Sequence, residues 1–481
     1  MPIPRRVRPQ RILFGLAVAQ IIAIQPASAQ STLQRTTPAS NQSTAFPGAV
    51  GWAATTPGGR GGRILRVTTL APNGPGSFKA ALEAKGPRII VFEVGGIIDM
   101  GREPLKITEP YVTIAGQTAP SPGITLIKTG IDIATHDVIM RHLRIRTGVD
   151  EQPKMSGWEV DSVSTVAAPH VVIDHCSFTW ALDENMSASG PRFTGTTPED
   201  WRKGTSHAVT FSYNIAAEGL ADASHPKGEH SKGTLIHDNA SEILIYRNLY
   251  AHNVERNPLV KGGGQVAMVN NILYNPGERA VHYNLMALEW GDHFYQTGKI
   301  SAVGNVLRGG VSTAPGLPFL TLGGDGDLDY HGKDNLAVDR FGVALPMFGR
   351  YGETRAKLNE VAAPPVWWPG TQVLPVRDVE THVLGNAGAR PWDRDADDLR
   401  VLFFVAEGRG AIIDDEREVG GYPKMAQTRA PFVEADWNLD TMEPKSGRYP
   451  GQRAEIAEHL SDRDKMMRQG GAGDGVSDSR R

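Results

Sequence analysis

Arg256 and Lys261 stand in the stretch HNVERNPLVKGGGQVAMVNNILYNP, at the exit of one apolar strand-like run and just before the next. A rigid repeat would present both cations to a ligand from there. Upstream, VVIDHCSFTWALDEN closes on two adjacent acids, Asp183 and Glu184, and a third acid, Asp161, stands in GWEVDSV. In stacked coils Asp161 could lie close to Asp183. Crowded carboxylates repel one another, and a hard cation such as calcium, which takes about 6–8 oxygen ligands, relieves that repulsion. Lys227 and His230, in HPKGEHSKG, complete the set. Each member also has an ordinary reading: acids in loops are solvated, Arg256 is a turn residue before Pro258, and Lys227 and His230 belong to a long polar loop. What favours a site is that all of them fall in or near the insertions of consecutive repeats.

Elements that place such insertions on one face are visible. Seven-residue windows recur as DVIMRHL, VVIDHCS, VTFSYNI, ILIYRNL, VAMVNNI and ISAVGNV, and their sixth positions stack His142, Cys176, Asn214, Asn248, Asn271 and Asn305. One interval is short enough for a bare coil of a parallel β-helix, and the others leave room for an inserted loop. In stacked parallel strands an inward Asn at a turn hydrogen-bonds its equivalents above and below, satisfying amides that would otherwise cost about 1–3 kcal/mol each to bury. Cys176 occupies that column, where a small buried packing residue explains it better than a nucleophile does. Earlier runs, RILRVTT (63–69), RIIVFEV (88–94) and YVTIAGQ (111–117), are β-branched and bounded by Gly and Pro. Between the first two, Ser77 precedes FKAALEA, an N-capped helix suited to cover the open end of the solenoid, whose strand edge would otherwise invite aggregation. Past Gly310 the repeat fades.

Glycine and proline are frequent, 54 and 33 of 481 residues, while charged residues make up 21% and the net charge is −3. That balance points to a turn-rich β protein and lacks the basic excess of a nucleic-acid binder. The long apolar run lies at the extreme N-terminus: Arg5, Arg6, Arg8 and Arg11 precede a mostly apolar segment from Ile12 to Ile24, and Ala27-Ser28-Ala29 follows. This is the pattern of a secretory signal peptide, too short to span a bilayer comfortably. The expected organisation is a signal peptide (1–29), a flexible tether (30–45), an all-β parallel β-helix (46–347), a C-terminal extension packed on it (348–469) and a disordered tail (470–481). A single cysteine provides no internal disulfide, so an exported chain of this kind relies on packing and hydrogen-bonded ladders.

Over most of its length the sequence resembles polysaccharide lyase family 1, the pectate lyases, in AFPGAVGWAATTPGGRGG, VVIDHCSFTWALDEN, AVTFSYNIAAEGL, HSKGTL, ERNPLVKGG and VNNILYNP. Asp174-His175 matches the family's strand motif, and Arg256, Pro258 and Lys261 match its Arg-x-Pro-x-x-Arg motif. Lys261 departs from it, keeping the charge but losing the bidentate fork. The resemblance implies a right-handed parallel β-helix, secreted and monomeric, that cleaves an acidic polysaccharide (polygalacturonate) by β-elimination with Ca2+. It implies Arg256 as the catalytic base and Asp161 and Asp183 as calcium aspartates. Lys227 matches loosely the lysine that contacts a substrate carboxylate, and His230 and Lys261 are further candidates for substrate binding. A family glutamate four residues before the second aspartate falls on Thr179, and Glu184 is the residue expected to replace it. Removing the C5 proton of a uronate leaves charge on its carboxylate, which a bridging cation and a lysine stabilise. Arginine is an awkward base, because its pKa exceeds about 12 in water, but desolvation and neighbouring cations disfavour its charged form.

Two other readings remain open on the residues. A hydrolase on a similar solenoid would use Asp161 and Asp183 as paired acid and base, and a non-catalytic β-helix would only hold the glycan. An unsaturated, ultraviolet-absorbing product, new reducing ends without that absorbance, or no product at all separates the three.

Overall fold

The computed structural model describes residues 43–452, so the expected signal peptide, nearly all of the tether and the C-terminal tail lie outside the described residues. Short β-branched runs of three to six residues punctuated by turns form the strands, and each coil adds one strand to each of three sheets. Val171–Asp174, Ser177–Thr179 and Glu184–Ser189 make one coil; His207–Ser212, Ile215–Ala217 and Lys232–Ile236 make the next. They stack in parallel register, with Val171 on Val209, Ser177 on Ile215 and Glu184 on Lys232. The three sheets hold 11, 9 and 10 strands. Parallel strands joined by crossovers wind right-handed in about 98% of cases, and the fold is a right-handed parallel β-helix. Its interior is filled by side chains such as Ile173, Phe178, Met186, Phe211, Tyr250 and Val260.

The corner between the 11-stranded and 10-stranded sheets is a repeated two-residue turn. Its first residue adopts a left-handed conformation, as at His175, Tyr213, Arg247 and Asn270 (φ 49, 55, 57 and 56°), and its second points inward. The inward amides form the expected ladder. Asn248 Oδ1 accepts from the backbone N–H and the side-chain amide of Asn214 (2.8 and 3.0 Å), and Asn271 Oδ1 does the same for Asn248 (2.8 and 3.1 Å). Asn305 continues the column, and Asn335, which the sequence windows do not reach, extends it. At the other end one assignment is corrected. Val138 pairs with Val171 and Arg141 with Asp174, which makes Leu143, not His142, the partner of Cys176. The window DVIMRHL begins one residue early because Asp137 precedes the strand. His142 lies in the outer column instead, its ring 5.2 Å from that of His175.

The solenoid also runs past the expected boundary at 347. Leu320–Gly324, Leu328–Lys333 and Leu336–Val338 continue the sheets, and Phe348–Arg350 and Leu358–Glu360 end two of them. These last strands are stacked on one side only and are largely exposed, so they need no apolar alternation, and the repeat is invisible there. At the start, Ala45 and Phe46 are buried and the Ala45 N–H donates to the Ala54 carbonyl (2.8 Å), so ordered packing begins inside the segment expected to be a tether. The helix Phe78–Leu82, capped by the Ser77 hydroxyl, buries Phe78 and Leu82 at the first coil.

The C-terminal extension covers two of the three outer faces. Helices Val376–Asn386 and Ala396–Glu407 pack Val379, Val383, Val401 and Val405 on Ile215, Leu249 and Ile272 of the 10-stranded sheet. Phe432, Trp437 and Met442 cover Ile89, Val91 and Ala115 of the 11-stranded sheet. The outer face of the nine-stranded sheet carries polar and charged side chains instead. Among the described residues no helix is long and apolar enough to cross a membrane.

Candidate functional site

Charged residues gather where the chain enters successive strands of the nine-stranded sheet. Asp161 precedes Val163–Val166, Asp183 precedes Glu184–Ser189, Lys232 begins Lys232–Ile236, and Glu255 and Arg256 precede Leu259–Lys261. Parallel stacking brings each within about 4.8 Å of its neighbour along the axis.

At one end are the acids. Carboxylate oxygens of Asp161, Asp183 and Glu184 lie within 4.8 Å of one another. The Glu184 backbone N–H donates to Asp161 Oδ1 (3.0 Å), and the Ser187 hydroxyl to Oδ2 (2.8 Å), with the Ser164 hydroxyl donating there too. Burial, and then the charge of Asp183, raise the Asp161 carboxyl above its usual range. Burial also pushes Asp183 up, but a hydrogen bond from His230 and the charges of His230 and Arg256 outweigh it, and the net shift is down. His230 Nε2 is 2.7 Å from Asp183 Oδ1, so His230 reaches the site by holding an acid. His225, absent from the sequence reading, stacks on His230 with ring centroids 3.6 Å apart.

At the other end are the cations. Arg256 Nη1 donates to Glu184 Oε1 and lies 3.8 Å from Asp183 Oδ1. Its backbone is left-handed (φ 60°), a conformation costing a non-glycine residue about 1–2 kcal/mol. The surroundings fix it there. Asn257 Oδ1 accepts from Asn253 (3.1 Å), and Gly233 lies so close that a Cβ on it would come 2.5 Å from the Arg256 carbonyl oxygen. Arg256 Nε is buried without a hydrogen-bond partner. Burial lowers the Arg256 pKa, the nearby acids Asp183 and Asp161 oppose this, Arg279 adds to it, and the net direction is down.

The lysine in this cluster is Lys232. It is buried, and its Nζ donates to Glu255 Oε1 (2.7 Å). Lys227 is exposed; its backbone N–H donates to His225 Nδ1 (3.1 Å) and its ammonium has no polar partner among the described residues. The signal for Lys232 was its place in HSKGTL, at the first position of a strand level with Glu184. Lys261 is the last residue of the strand Leu259–Lys261, which follows Arg256 and the turn at 257–258. Its ammonium is bound to Glu289 and lies 3.6 Å from Asp238. Thr179 belongs to the 10-stranded sheet, where its hydroxyl accepts from Arg146 (3.0 Å), so an acid at that position would not reach the site.

The residues present fit a hard cation. Asp161, Asp183 and Glu184 offer oxygen donors only; burial, and then the charge of Asp183, raise Asp161, and a divalent ion offsets the cost of holding these carboxylates ionised together. The overlapping group of Asp183, His225 and His230 fits a softer metal poorly. His225 Nδ1 accepts a backbone N–H, which leaves the ring proton on Nε2, so the atom facing Asp183 is a donor and not a ligand.

A family model described as pectate lyase matches residues 22–306. Probable pectate lyase C of Aspergillus terreus is 31% identical over 388 residues, 78% of this chain and 81% of that protein. Probable pectate lyase C of Neosartorya fischeri is 30% identical over 432 residues, 87% of this chain and 90% of that protein. Among solved structures, a pectate lyase bound to hexasaccharide superposes with a TM-score of 0.49 at 16% identity, over 73% of this chain and 98% of that one.

Proposed function

Because the chain belongs to the pectate lyase family, and is thus a polysaccharide lyase, we propose that it cleaves polygalacturonate by calcium-assisted β-elimination, giving 4,5-unsaturated oligogalacturonides. The observation that carries this reading is the joining of three carboxylates within 4.8 Å to Arg256 through Glu184. Asp161, Asp183 and Glu184 would hold the calcium ion. When bound, calcium supplies Lewis-acid stabilisation of the charge that develops on the uronate carboxylate. Lys232, rather than Lys227, is the lysine placed to hydrogen-bond that carboxylate, and Glu255 orients it. Arg256 takes the C5 proton: its lowered pKa makes the neutral guanidine more accessible, and its fixed backbone sets its distance from the substrate. As the C5–H bond breaks, C4=C5 forms, the C4–O bond breaks, and the leaving oxygen gains a proton. Secretion through the N-terminal leader and a monomeric state belong to the same proposal.

The test is turnover of polygalacturonate followed by ultraviolet absorbance, with and without a chelator. Wild type should form absorbing product and lose activity in chelator, with recovery on adding calcium. Asp183→Asn should raise the calcium concentration needed for half-maximal rate by about tenfold or more while leaving Tm nearly unchanged, because the carboxylates bind the ion by charge. Full activity of both proteins in excess chelator would remove the metal from the reaction.

A further inference from the structure

Past the helix Ala396–Glu407, the C-terminal extension runs as a strap against the two loops that lead to the acid end of the site. Three consecutive contacts fasten it. The Ala221 N–H donates to the Ile413 carbonyl (2.9 Å), the Asp222 N–H to Asp414 Oδ1 (2.9 Å), and the Val149 and Asp150 N–H groups to the Glu416 carboxylate (2.8 and 3.3 Å). Glu416 is buried, and further on the Tyr422 hydroxyl donates to the Thr147 carbonyl (2.9 Å). The strap is itself held in place: the Ile412 N–H donates to the Ser312 hydroxyl (3.1 Å), and the Asp415 side chain caps the turn Glu416–Val419.

From the strap to the acids is a short path. The Ala221 carbonyl accepts from the His230 N–H (2.9 Å), and His230 Nε2 is the atom that lies 2.7 Å from Asp183 Oδ1. The Leu220 N–H donates to the Ala181 carbonyl (2.9 Å), two residues before Asp183. The loops are also tied to each other, since the Met155 and Gly157 N–H groups donate to the Ala223 and Ser224 carbonyls (3.0 Å each). Ile413 packs with Leu182, Leu220 and Ala223, and Val160 and Val419 border the same cluster. Leu182 and Val160 are the chain neighbours of Asp183 and Asp161. Ligands already held in place bind a cation more tightly than ligands that must be gathered, and the groups that hold them set the affinity as the ligands do.

We propose that the strap 413–422 is a positioning element for the cation site: it holds the loops 147–160 and 218–231, and through them Asp161 and Asp183, so that loosening it weakens divalent-cation binding. The proposal rests on the assignment of these acids to calcium above. Ile413 and Glu416 act through the loops, not as ligands, so the steps on the sugar are untouched once the cation is bound.

Calorimetric titration with calcium in the absence of sugar reads cation binding apart from turnover. It is applied to wild type, Ile413→Ala, Glu416→Ala, Glu416→Gln and a control, Val383→Ala, which truncates the packing of the extension on the 10-stranded sheet instead. All are measured well below their Tm. Ile413→Ala and Glu416→Ala should each raise the calcium Kd by about fivefold or more, and amide exchange across 219–231 should quicken in the metal-free protein. At saturating calcium their kcat should return to within about twofold of wild type. Glu416→Gln keeps one acceptor oxygen for the 149–150 amides and should recover part of the loss. Val383→Ala should lower Tm at an unchanged Kd. A wild-type Kd in both Ile413→Ala and Glu416→Ala, or an equal rise in Val383→Ala, overturns this proposal alone. Absence of calcium binding by wild type would instead sink the cation assignment, and this proposal with it.

Discussion

The asparagine column inside the corner of the solenoid and the charged column outside the nine-stranded sheet are both built by stacking side chains at the coil spacing, yet only the first satisfies itself. An amide carries donors and an acceptor, so identical amides stacked in register bond one another, as Asn214, Asn248, Asn271 and Asn305 do. Identical charges cannot. The outer column has acids at one end (Asp161, Asp183, Glu184) and cations at the other (Lys232, Arg256, Arg279), meeting at Glu184–Arg256 and Glu255–Lys232. Each end keeps a surplus of one sign. In a stacked fold, then, a neutral polar column satisfies itself and stabilises the structure, whereas a segregated charged column keeps charge that stacking alone does not cancel.

Substitution in each column should separate these roles. The largest effect is expected for Arg256→Lys. If Arg256 only attracts the polyanion, lysine should preserve most of kcat and change KM. If it removes the C5 proton, the ammonium stands at a different point from the guanidinium, and misplacement by about 1 Å costs on the order of 100-fold. We expect that fall in kcat with substrate still bound, measured by initial rates and by titration of the inactive variant. Near-normal kcat would remove Arg256 from proton transfer. In the inner column, Asn271→Ala removes the oxygen that accepts from Asn248 and the amide that reaches the Ile245 carbonyl. Leaving these partners unpaired should cost about 1–3 kcal/mol, seen as a lower midpoint in denaturant at unchanged kcat. A fall in kcat at unchanged stability would erase the distinction between the columns.

The two columns also differ in how legible they are in sequence. The inner one repeats a residue type at a fixed place in a strand pattern, so Asn214 to Asn305 could be found from spacing alone. It fails only where the residue type changes, at Leu143, and where the strands lose their apolar alternation, before Asn335. The outer column repeats a position but not a residue type. Asp161, Asp183 and Arg256 could be found because motifs mark them, and Glu184 because it adjoins Asp183. Lys232 was passed over for Lys227, because its place in HSKGTL at the start of a strand was not weighed against the loop lysine. Lys261 is marked by the same motif as Arg256, but spacing within the motif does not tell that its ammonium meets Glu289, or that stacking sets Arg279 level with Arg256.

The smallest effect is expected at Cys176, where the inner column ends. Its backbone N–H donates to Asn214 Oδ1 (2.8 Å) as an asparagine at that place would, but its side chain packs with Leu143 and Phe178 in the core. The thiol is fully buried, and burial pushes its pKa up to about 12, so at neutral pH it is neither a nucleophile nor a ready target for alkylation. Cys176→Ala keeps the backbone bond and removes one sulfur atom, which should lower stability by about 1 kcal/mol. Cys176→Ser places a hydroxyl in the same space, within reach of the Asp174 carbonyl that now faces the sulfur at 3.5 Å, and should cost a similar amount. Both variants should retain wild-type kcat and KM, and the native protein should resist iodoacetamide until it is unfolded. Loss of turnover at an unchanged melting temperature, or rapid alkylation that abolishes activity, would show that the end of the inner column takes part in the chemistry that the comparison assigns to the outer one alone.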